Sequence, residues 1–260
     1  MFKFKKSLGQ NFLNDKNIIK KIILPQDIRG QNVLEIGPGG GSLTFEILKN
    51  SPNKLTLIEK DLFLFKSLKE KIDNNLIEFY NKDILSLDIE NILTKQSVVY
   101  GNLPYNISTQ ILVKFIKFKT WLPKFSKLSF MFQKEVGKKI MANHNDKNYG
   151  RISVITKYRL KIKKFFFVKR NSFYPKPKIE SIVVEFEPIN PKIKIRNINN
   201  LEFITHLFFS KKRKKIKKTF QKLFSNHDSI SKKINISLEK RPSELSPEDY
   251  FNIVNEYEKI

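Results

Sequence analysis

Asn102, Leu103, Pro104 and Tyr105 form a tetrapeptide whose residue types could act on an aromatic amine. The lone pair of such an amine is delocalised into the ring, so its nitrogen is a poor nucleophile. An asparagine oxygen and a backbone carbonyl can accept the amine hydrogens, while a tyrosine ring stacks on the base. This pattern indicates methyl transfer to an exocyclic amine without a strong general base. A tetrapeptide of this kind by itself is more often only a turn, but its place directly after the fourth predicted strand favours the chemical role.

A glycine cluster at residues 37–41 follows a short apolar run and precedes a helical pattern. Glycines in such a place let the backbone approach a ligand at a helix N-terminus. The dinucleotide fingerprint requires glycine at the first, third and sixth places, but Ser42 occupies the sixth. No Walker lysine follows the loop. The pattern, with Gly37 and Gly39, therefore favours an S-adenosylmethionine site over an NAD site or a phosphate loop.

Two acidic residues follow the next two apolar runs. Glu59 lies at an end where a carboxylate can accept hydrogen bonds from ribose hydroxyls, and Asp83 lies where one could accept from an adenine amine. Either acid by itself would more often be a solvated loop carboxylate. Their common register with the glycine loop favours a role in cofactor binding.

The elements that must position these residues alternate between strands and helices. Helical patterns cover residues 43–49, 62–72 and 107–118. Strands are predicted at residues 33–36, 55–58, 76–80, 97–100 and 128–132. This alternation predicts an α/β fold with a doubly wound, Rossmann-like sheet, in which ligands bind at the carboxyl edge.

The pattern changes after about Arg151. Residues 165–168 and 182–186 predict an antiparallel pair at one sheet edge, joined by a proline-marked loop that contains Phe173. Residues 188–191 read as a linker, and a helical pattern follows. We therefore expect a methyltransferase domain at residues 1–190 and a helical, RNA-contacting domain at residues 191–260. The lysine-rich segment 211–218 lies within the helical pattern and is either a solvated face or a phosphate-binding one.

Composition narrows the class of protein. The formal net charge of +25 favours a polyanionic partner, although the excess of lysine over arginine also fits an AT-rich genome. The absence of cysteine excludes disulfides and thiolate sites, and three scattered histidines do not suggest a metal site. Residues 1–6 are basic without the apolar core of a signal peptide, and no apolar run suits a membrane span. We expect a cytoplasmic protein without metal.

The chain resembles the KsgA/RsmA family, the ribosomal RNA small-subunit adenine N6,N6-dimethyltransferases, over nearly its whole length. Departures are mild: Lys60 replaces a commoner apolar residue, and Ile179 and Glu180 replace the usual Val-Asp. The motifs that carry the resemblance are QNFL (10–13), EIGPGGGSLT (35–44), IEKD (58–61), Asp83, GNLPYNIS (101–108), QKEV (133–136), YGRIS (149–153), FYPKPKIES (173–181) and RPSELS (241–246).

The resemblance implies a substrate, a cofactor and a set of site residues. The substrate would be two adjacent adenosines in the 3′-terminal hairpin loop of 16S rRNA, within an assembling small subunit, and the enzyme would be a monomer. The catalytic set is Asn102, Leu103, Pro104, Tyr105 and Phe173, with Tyr105 and Phe173 sandwiching the flipped adenine. S-adenosylmethionine would contact Asn11, Leu13, Gly37, Gly39, Glu59, Asp83 and Asn102. From its setting alone Phe173 could equally belong to the core, but the flanking prolines favour a loop and a functional role.

Three rival functions have sequence features that separate them. An erythromycin-resistance methyltransferase shares the core, but residues 173–181 and 241–246 favour the small-subunit enzyme. An assembly factor without activity would tolerate a decayed glycine loop or tetrapeptide, and both are intact. A protein glutamine methyltransferase would place proline directly after Asn102, where this chain has Leu103.

Overall fold

The computed structural model describes residues 11–260 of the chain. The basic start of the chain and Gln10 of the first family motif lie outside these residues. The chain divides into two compact units. The N-terminal unit comprises Met1–Gly137 and Ile162–Pro188, and the C-terminal unit comprises Lys138–Lys161 and Ile189–Ile260.

A seven-stranded sheet forms the centre of the N-terminal unit, with the strand order β4-β3-β2-β5-β6-β9-β7. Strands β2 to β6 are parallel, and β9 pairs antiparallel with β6. The strands are β1 Phe12–Leu13, β2 Asn32–Ile36, β3 Lys54–Ile58, β4 Ile77–Tyr80, β5 Ser97–Asn102, β6 Phe125–Gln133, β7 Leu160–Val168, β8 Phe173–Tyr174 and β9 Ser181–Pro188. The predicted doubly wound α/β sheet is confirmed. It buries nearly continuous runs of apolar residues, as parallel strands covered on both faces do.

Helices alternate with the strands along the chain, and aspartates begin three of them: Asp15, Asp61 and, before a short helix, Asp88. Asp15 and Asp61 accept hydrogen bonds from backbone amides of the first turns of α1 and α3, which satisfies donors that a helix start leaves unpaired. These helices are α1 Lys16–Ile23, α2 Ser42–Lys49, α3 Leu62–Lys71, α4 Ile89–Ile92, α5 Ser108–Ile116 and α6 Lys134–Met141.

A second, two-stranded sheet was not predicted from the sequence. Strand β1 pairs antiparallel with β8, and Leu13 lies opposite Phe173. Both side chains are buried in the main hydrophobic core. The prediction that Phe173 lies on a loop is therefore wrong, because its backbone pairs with a segment about 160 residues away that no local pattern reveals.

The C-terminal unit is helical. Its helices are α7 Arg151–Arg159, α8 Ile198–Phe209, α9 Lys217–Leu223, α10 His227–Lys233 and α11 Pro247–Tyr257. Helices α7, α8 and α11 pack on one another, with Phe209 stacked on Tyr250 at 5.5 Å between ring centroids. The 241–246 motif stabilises the start of α11. The Tyr250 hydroxyl donates to the Pro242 carbonyl, and the Ser246 side chain caps the helix. That motif is thus a structural element of this unit.

Two expectations about this region differ from the structure. Residues 138–161, which the sequence places with the sheet, pack with the C-terminal helices. The expected helical run through residues 211–218 is wrong, because α8 ends at Phe209 and α9 begins only at Lys217. The intervening turn has backbone hydrogen bonds from the Lys211 amide to the Phe208 carbonyl and from the Lys214 amide to the Lys211 carbonyl, and the Lys212 ammonium donates to the Tyr149 carbonyl at 2.8 Å.

Within residues 11–260 no helix is both long enough and apolar enough to cross a membrane.

Candidate active site

A cavity of about 340 Å³ lies at the carboxyl ends of β2, β3 and β5. The strand order reverses between β2 and β5, and ligands of open α/β sheets bind at such a switch point. The cavity contains every predicted site residue except Phe173. These residues are Asn11, Leu13, Gly37, Gly39, Glu59, Asp83, Asn102, Leu103, Pro104 and Tyr105.

The glycine loop forms one wall of the cavity. Gly37, Gly39 and Gly41 have φ angles of 65°, 58° and 88°, which L side chains rarely adopt. A Cβ atom on Gly39 would also lie 2.7 Å from the Phe12 ring. The loop therefore requires glycine there for both its backbone conformation and the close approach of an aromatic ring.

Glu59 braces this loop from the end of β3. One of its carboxylate oxygens accepts from the Gly39 amide at 3.1 Å, and the other accepts from the Asp61 amide at 2.8 Å. The side chain is buried, and this burial raises its pKa despite the two amide donors. Each carboxylate oxygen has a second lone pair, so Glu59 can still accept from ligand hydroxyls.

Glu35 lies in β2, behind Glu59, and is buried. The Thr44 hydroxyl donates to it at 2.6 Å. Burial raises the pKa of Glu35 from 4.5 to about 8, and the nearby Glu59 carboxylate contributes to this rise. At neutral pH its carboxyl is therefore protonated and adds no negative charge beside Glu59.

The protonated Glu35 carboxyl gives a testable pH dependence. An acid whose pKa is raised by folding stabilises the protein fully only below its unfolded pKa. We expect stability to fall by about 1.4 kcal/mol per pH unit between about pH 4.5 and 8, relative to Glu35→Gln, and to level off above pH 8. Urea unfolding of both proteins across this range measures the difference. Parallel stability curves would contradict a protonated Glu35.

Asp83, beyond the end of β4, is already engaged on both oxygens. Lys60 donates to one at 2.8 Å, and the Leu85 amide donates to the other at 2.9 Å. The Lys60 hydrogen bond is the main reason why the pKa of Asp83 is lowered. Asp83 is thus an ionised acceptor whose orientation depends on Lys60, one of the residues named above as departures.

Asn102 ends β5, and its amide group has a defined orientation. Its Nδ2 donates to the Asn11 carbonyl at 2.9 Å, which leaves Oδ1 as the acceptor at the cavity. Asn11 directly precedes the β1–β8 pair. That pair is tied further by the Asn14 amide, which donates to the Ser172 carbonyl, and by the Ser172 hydroxyl, which donates to Asp15 at 2.9 Å.

Tyr105 stands at the other end of the tetrapeptide, half-buried in the cavity wall. Its hydroxyl lies 2.6 Å from the Ser181 hydroxyl at the start of β9. This contact ties the tetrapeptide to the FYPKPKIES motif and limits rotation of the ring. Burial raises the pKa of Tyr105, so the phenol is neutral.

Two substitutions separate the contribution of the Tyr105 ring from that of its hydroxyl. We expect Tyr105→Phe to keep methyl transfer within about threefold, and to lower stability by about 1 kcal/mol because the hydrogen bond to Ser181 is removed. Tyr105→Ala should slow transfer by roughly 5- to 150-fold, the value of one stacked base. Single-turnover rates and urea unfolding measure the two effects. Equal loss of rate in both variants would assign the role to the hydroxyl.

Phe173 is the predicted site residue that the structure does not bring to the cavity. Its side chain is only 3% exposed and packs in the core with Leu13. The neighbouring Tyr174 is 63% exposed. In this conformation the Phe173 ring supports the β1–β8 pair. Phe173 is therefore a core residue, which is the alternative that the sequence analysis left open.

Several lining residues were missed by the sequence analysis. Lys60 directly follows Glu59 and Lys82 directly precedes Asp83, and both line the cavity. Phe12 lies between Asn11 and Leu13 and covers Gly39. Ile84 and Leu85 add apolar wall and follow Asp83 directly.

This donor set fits S-adenosylmethionine: two carboxylate acceptors, a glycine loop without Cβ atoms, and apolar wall between them. Fold and cavity together define a Rossmann-like S-adenosylmethionine-dependent methyltransferase. A family model described as ribosomal RNA adenine dimethylase matches residues 1–259. The chain belongs to the ribosomal RNA adenine dimethylase family.

Relatives agree with this assignment. The chain is 45% identical to a ribosomal RNA small subunit methyltransferase A of Pelagibacter ubique, over 99% of this chain and 98% of the relative. A dimethyladenosine transferase from Plasmodium falciparum superposes with a TM-score of 0.77 at 26% identity, over 95% of this chain and 98% of that structure. The 23S rRNA methyltransferase ErmE shares the fold, with a TM-score of 0.70 at 23% identity, over 95% and 99% of the two chains.

Proposed function

We propose that this enzyme dimethylates N6 of two adjacent adenosines in the 3′-terminal hairpin loop of 16S rRNA, with S-adenosylmethionine as methyl donor. The observation that carries the chemistry is the amide of Asn102, oriented by the Asn11 carbonyl at the cavity edge. The small-subunit target is supported by the near full-length likeness to the small-subunit relative. The large-subunit enzyme matches only in fold.

The residues of the tetrapeptide act on the target amine. Asn102 Oδ1 accepts one amine hydrogen, and a backbone carbonyl accepts the other. The Pro104 carbonyl accepts from Ile107 and that of Tyr105 from Ser108, each with one lone pair already used, which favours Leu103 as the second acceptor. These bonds localise the nitrogen lone pair, while the Tyr105 ring fixes the plane of the base. When bound, S-adenosylmethionine supplies an activated sulfonium methyl, and the proton leaves the nitrogen after the new bond forms.

Cofactor binding is assigned to the other wall of the cavity. Glu59 accepts from the ribose hydroxyls and Asp83 from the adenine amine, while Gly37 and Gly39 allow close approach of the cofactor. Asn11, Leu13 and Asn102 complete the contacts. The flipped base stacks on Tyr105. The second stacking partner implied by the resemblance, Phe173, would have to leave the core to reach the base.

We further propose that the protein acts as a cytoplasmic monomer on the assembling small subunit. The exposed cations of residues 211–218 are suited to RNA phosphates, because recognition of folded RNA relies on shape and backbone contacts. Lys212 and Lys215 are excluded from this role, since Lys212 holds backbone carbonyls and Lys215 pairs with Glu239.

The lysine assignment predicts a change in salt dependence. Replacing Lys211, Lys214, Lys217 and Lys218 with glutamine should weaken RNA binding at low salt. It should also flatten the plot of log affinity against log salt by about 0.7–0.9 for each phosphate that is no longer neutralised. Lys66→Gln/Lys69→Gln, on α3, is the comparison. An equal change per lysine in both variants would mean that only net charge matters.

The function itself is tested with labelled S-adenosylmethionine and small subunits that lack the modification. Dimethyladenosine at the two adjacent loop adenosines is the expected product. Label on large-subunit RNA would identify a resistance-type enzyme. Tight subunit binding without transfer would leave an assembly factor with the fold of an enzyme.

A further inference from the structure

An aromatic and basic surface lies on the edge strand β7, outside the cavity. We call it the β7 face: Lys163, Phe165 and Phe167 of that strand, with Lys134 beside them. Phe165 and Phe167 are 49% and 47% exposed, and their rings lie 6.1 Å apart in an edge-to-face arrangement. The Lys134 ammonium lies 5.2 Å from the centroid of the Phe167 ring. These two phenylalanines place neighbouring apolar side chains in water on an edge strand. Contiguous exposed apolar surface of this kind marks interaction sites.

The β7 face is connected to the tetrapeptide by direct contacts. Lys134, which carries the cation at Phe167, pairs with Glu180 at 2.6 Å. The next residue, Ser181, has its hydroxyl 2.6 Å from that of Tyr105. All these residues belong to the N-terminal unit. A strand of RNA that places an adenine on Tyr105 would therefore have its flanking nucleotides in reach of this face.

The chemistry of the β7 face suits unpaired nucleotides. Aromatic side chains stack bases irrespective of sequence, and lysines neutralise the adjoining phosphates. Lys169 is exposed just beyond the end of β7, while Lys163 and Lys134 are paired with Glu187 and Glu180. A second copy of this chain is disfavoured as occupant, because two surfaces of a protein with net charge +25 repel.

We propose that the β7 face stacks an unpaired base of the RNA substrate that flanks the target adenines. This proposal rests on the proposed function and adds a substrate subsite to it. Phe165 and Phe167 would contribute to RNA affinity and to the choice of a loop over a duplex, and would not act on the amine.

The test compares Phe165→Leu/Phe167→Leu with the native enzyme on small subunits that lack the modification. Leucine keeps the apolar character of the strand but removes the stacking ring. We expect KM for the subunit, and Kd for an RNA hairpin of its 3′ end, to rise about tenfold. The value of kcat should stay within about twofold, and cofactor affinity should not change. Phe165→Tyr/Phe167→Tyr, which retains both rings, should restore the native KM.

Phe63→Leu is the matched control, since Phe63 is 60% exposed on α3, in the same N-terminal unit but away from the β7 strand. It should leave KM unchanged. An unchanged KM and Kd in the β7 variant would overturn the proposal. A change in sedimentation with native RNA affinity would reassign the face to a second copy, and weaker binding to anionic vesicles would reassign it to a lipid surface. Failure of the native enzyme to methylate subunits would refute the proposed function, while the hairpin Kd would still decide the role of the face.

Discussion

Replacing Asn102 with alanine is expected to lower the single-turnover rate of methyl transfer by about a thousandfold. The variant lacks the side-chain oxygen that accepts the amine hydrogen, an interaction that strengthens as the nitrogen becomes tetrahedral. Removal of one such preorganised hydrogen-bonding group in other enzymes costs roughly 10²–10³ in rate. In this enzyme the Leu103 carbonyl would also have to hold the base without Asn102. We therefore expect a loss at the upper end of this range.

The contact of Asn102 with the Asn11 carbonyl allows a second variant to be designed. Asn102→Asp keeps an oxygen at the site, but places a carboxylate oxygen against the Asn11 carbonyl, where the amide now donates at 2.9 Å. Repulsion between these oxygens should rotate the group, so aspartate is expected to be nearly as inactive as alanine. If the contact with Asn11 did not orient the acceptor, Asn102→Asp would keep an oxygen in place and remain active.

The affinity for RNA should stay within about threefold in both Asn102 variants, because recognition relies on the phosphate backbone and on stacking. Asn53→Ala, on an exposed loop, controls for the substitution itself. Native transfer rates in Asn102→Ala would eliminate the assigned mechanism. A large decrease in RNA affinity would instead give Asn102 a binding role.

Replacing Glu59 with alanine is expected to weaken S-adenosylmethionine binding by about a hundredfold, with a smaller effect on kcat at saturating cofactor. The substitution removes the ribose acceptor. It also leaves the amides of Gly39 and Asp61 without their carboxylate, and a buried unsatisfied donor costs roughly 1–3 kcal/mol. The glycine loop should therefore loosen as well.

Glu59→Gln separates the two contributions. The amide oxygen of glutamine can still accept from one backbone amide, but the NH₂ group opposes the other, so an intermediate affinity is expected. Isothermal titration with the cofactor measures Kd, and urea unfolding measures the structural part. Glu70→Ala, exposed on α3, is the control. An unchanged cofactor Kd in Glu59→Ala would remove the ribose role, whatever the change in stability.

Much of the sheet was predictable because its signals are local. Apolar runs of four or five residues, each followed by a glycine loop or an acid, indicate parallel strands whose carboxyl ends meet at one edge. Glu59, Asp83 and Asn102 could thus be placed around one cavity from the sequence. The predicted strand at residues 128–132 is confirmed and is extended at both ends, since β6 runs from Phe125 to Gln133.

The orientation of the site residues depends on contacts between segments far apart in the chain. The Asn102 amide is oriented by a carbonyl 91 residues away, and Asp15 is tied to Ser172 across 157 residues. Phe173 is buried because its strand pairs with β1. The hydrophobic periodicity of the sequence around Phe173 does not indicate this distant partner. The lysine-rich segment has helical composition, yet it forms a turn between α8 and α9, where Lys212 bonds to carbonyls of residues 147 and 149.

Residue types and spacing were therefore enough to predict the reaction class and a cavity at the strand ends, because that chemistry needs particular groups at strand ends. The packing of residues 138–161, the burial of Phe173 and the hydrogen bonds that hold Asn102 and Glu59 arise from non-local pairing. That pairing is chosen by burial of the whole core and by the satisfaction of buried polar groups, which no short segment determines.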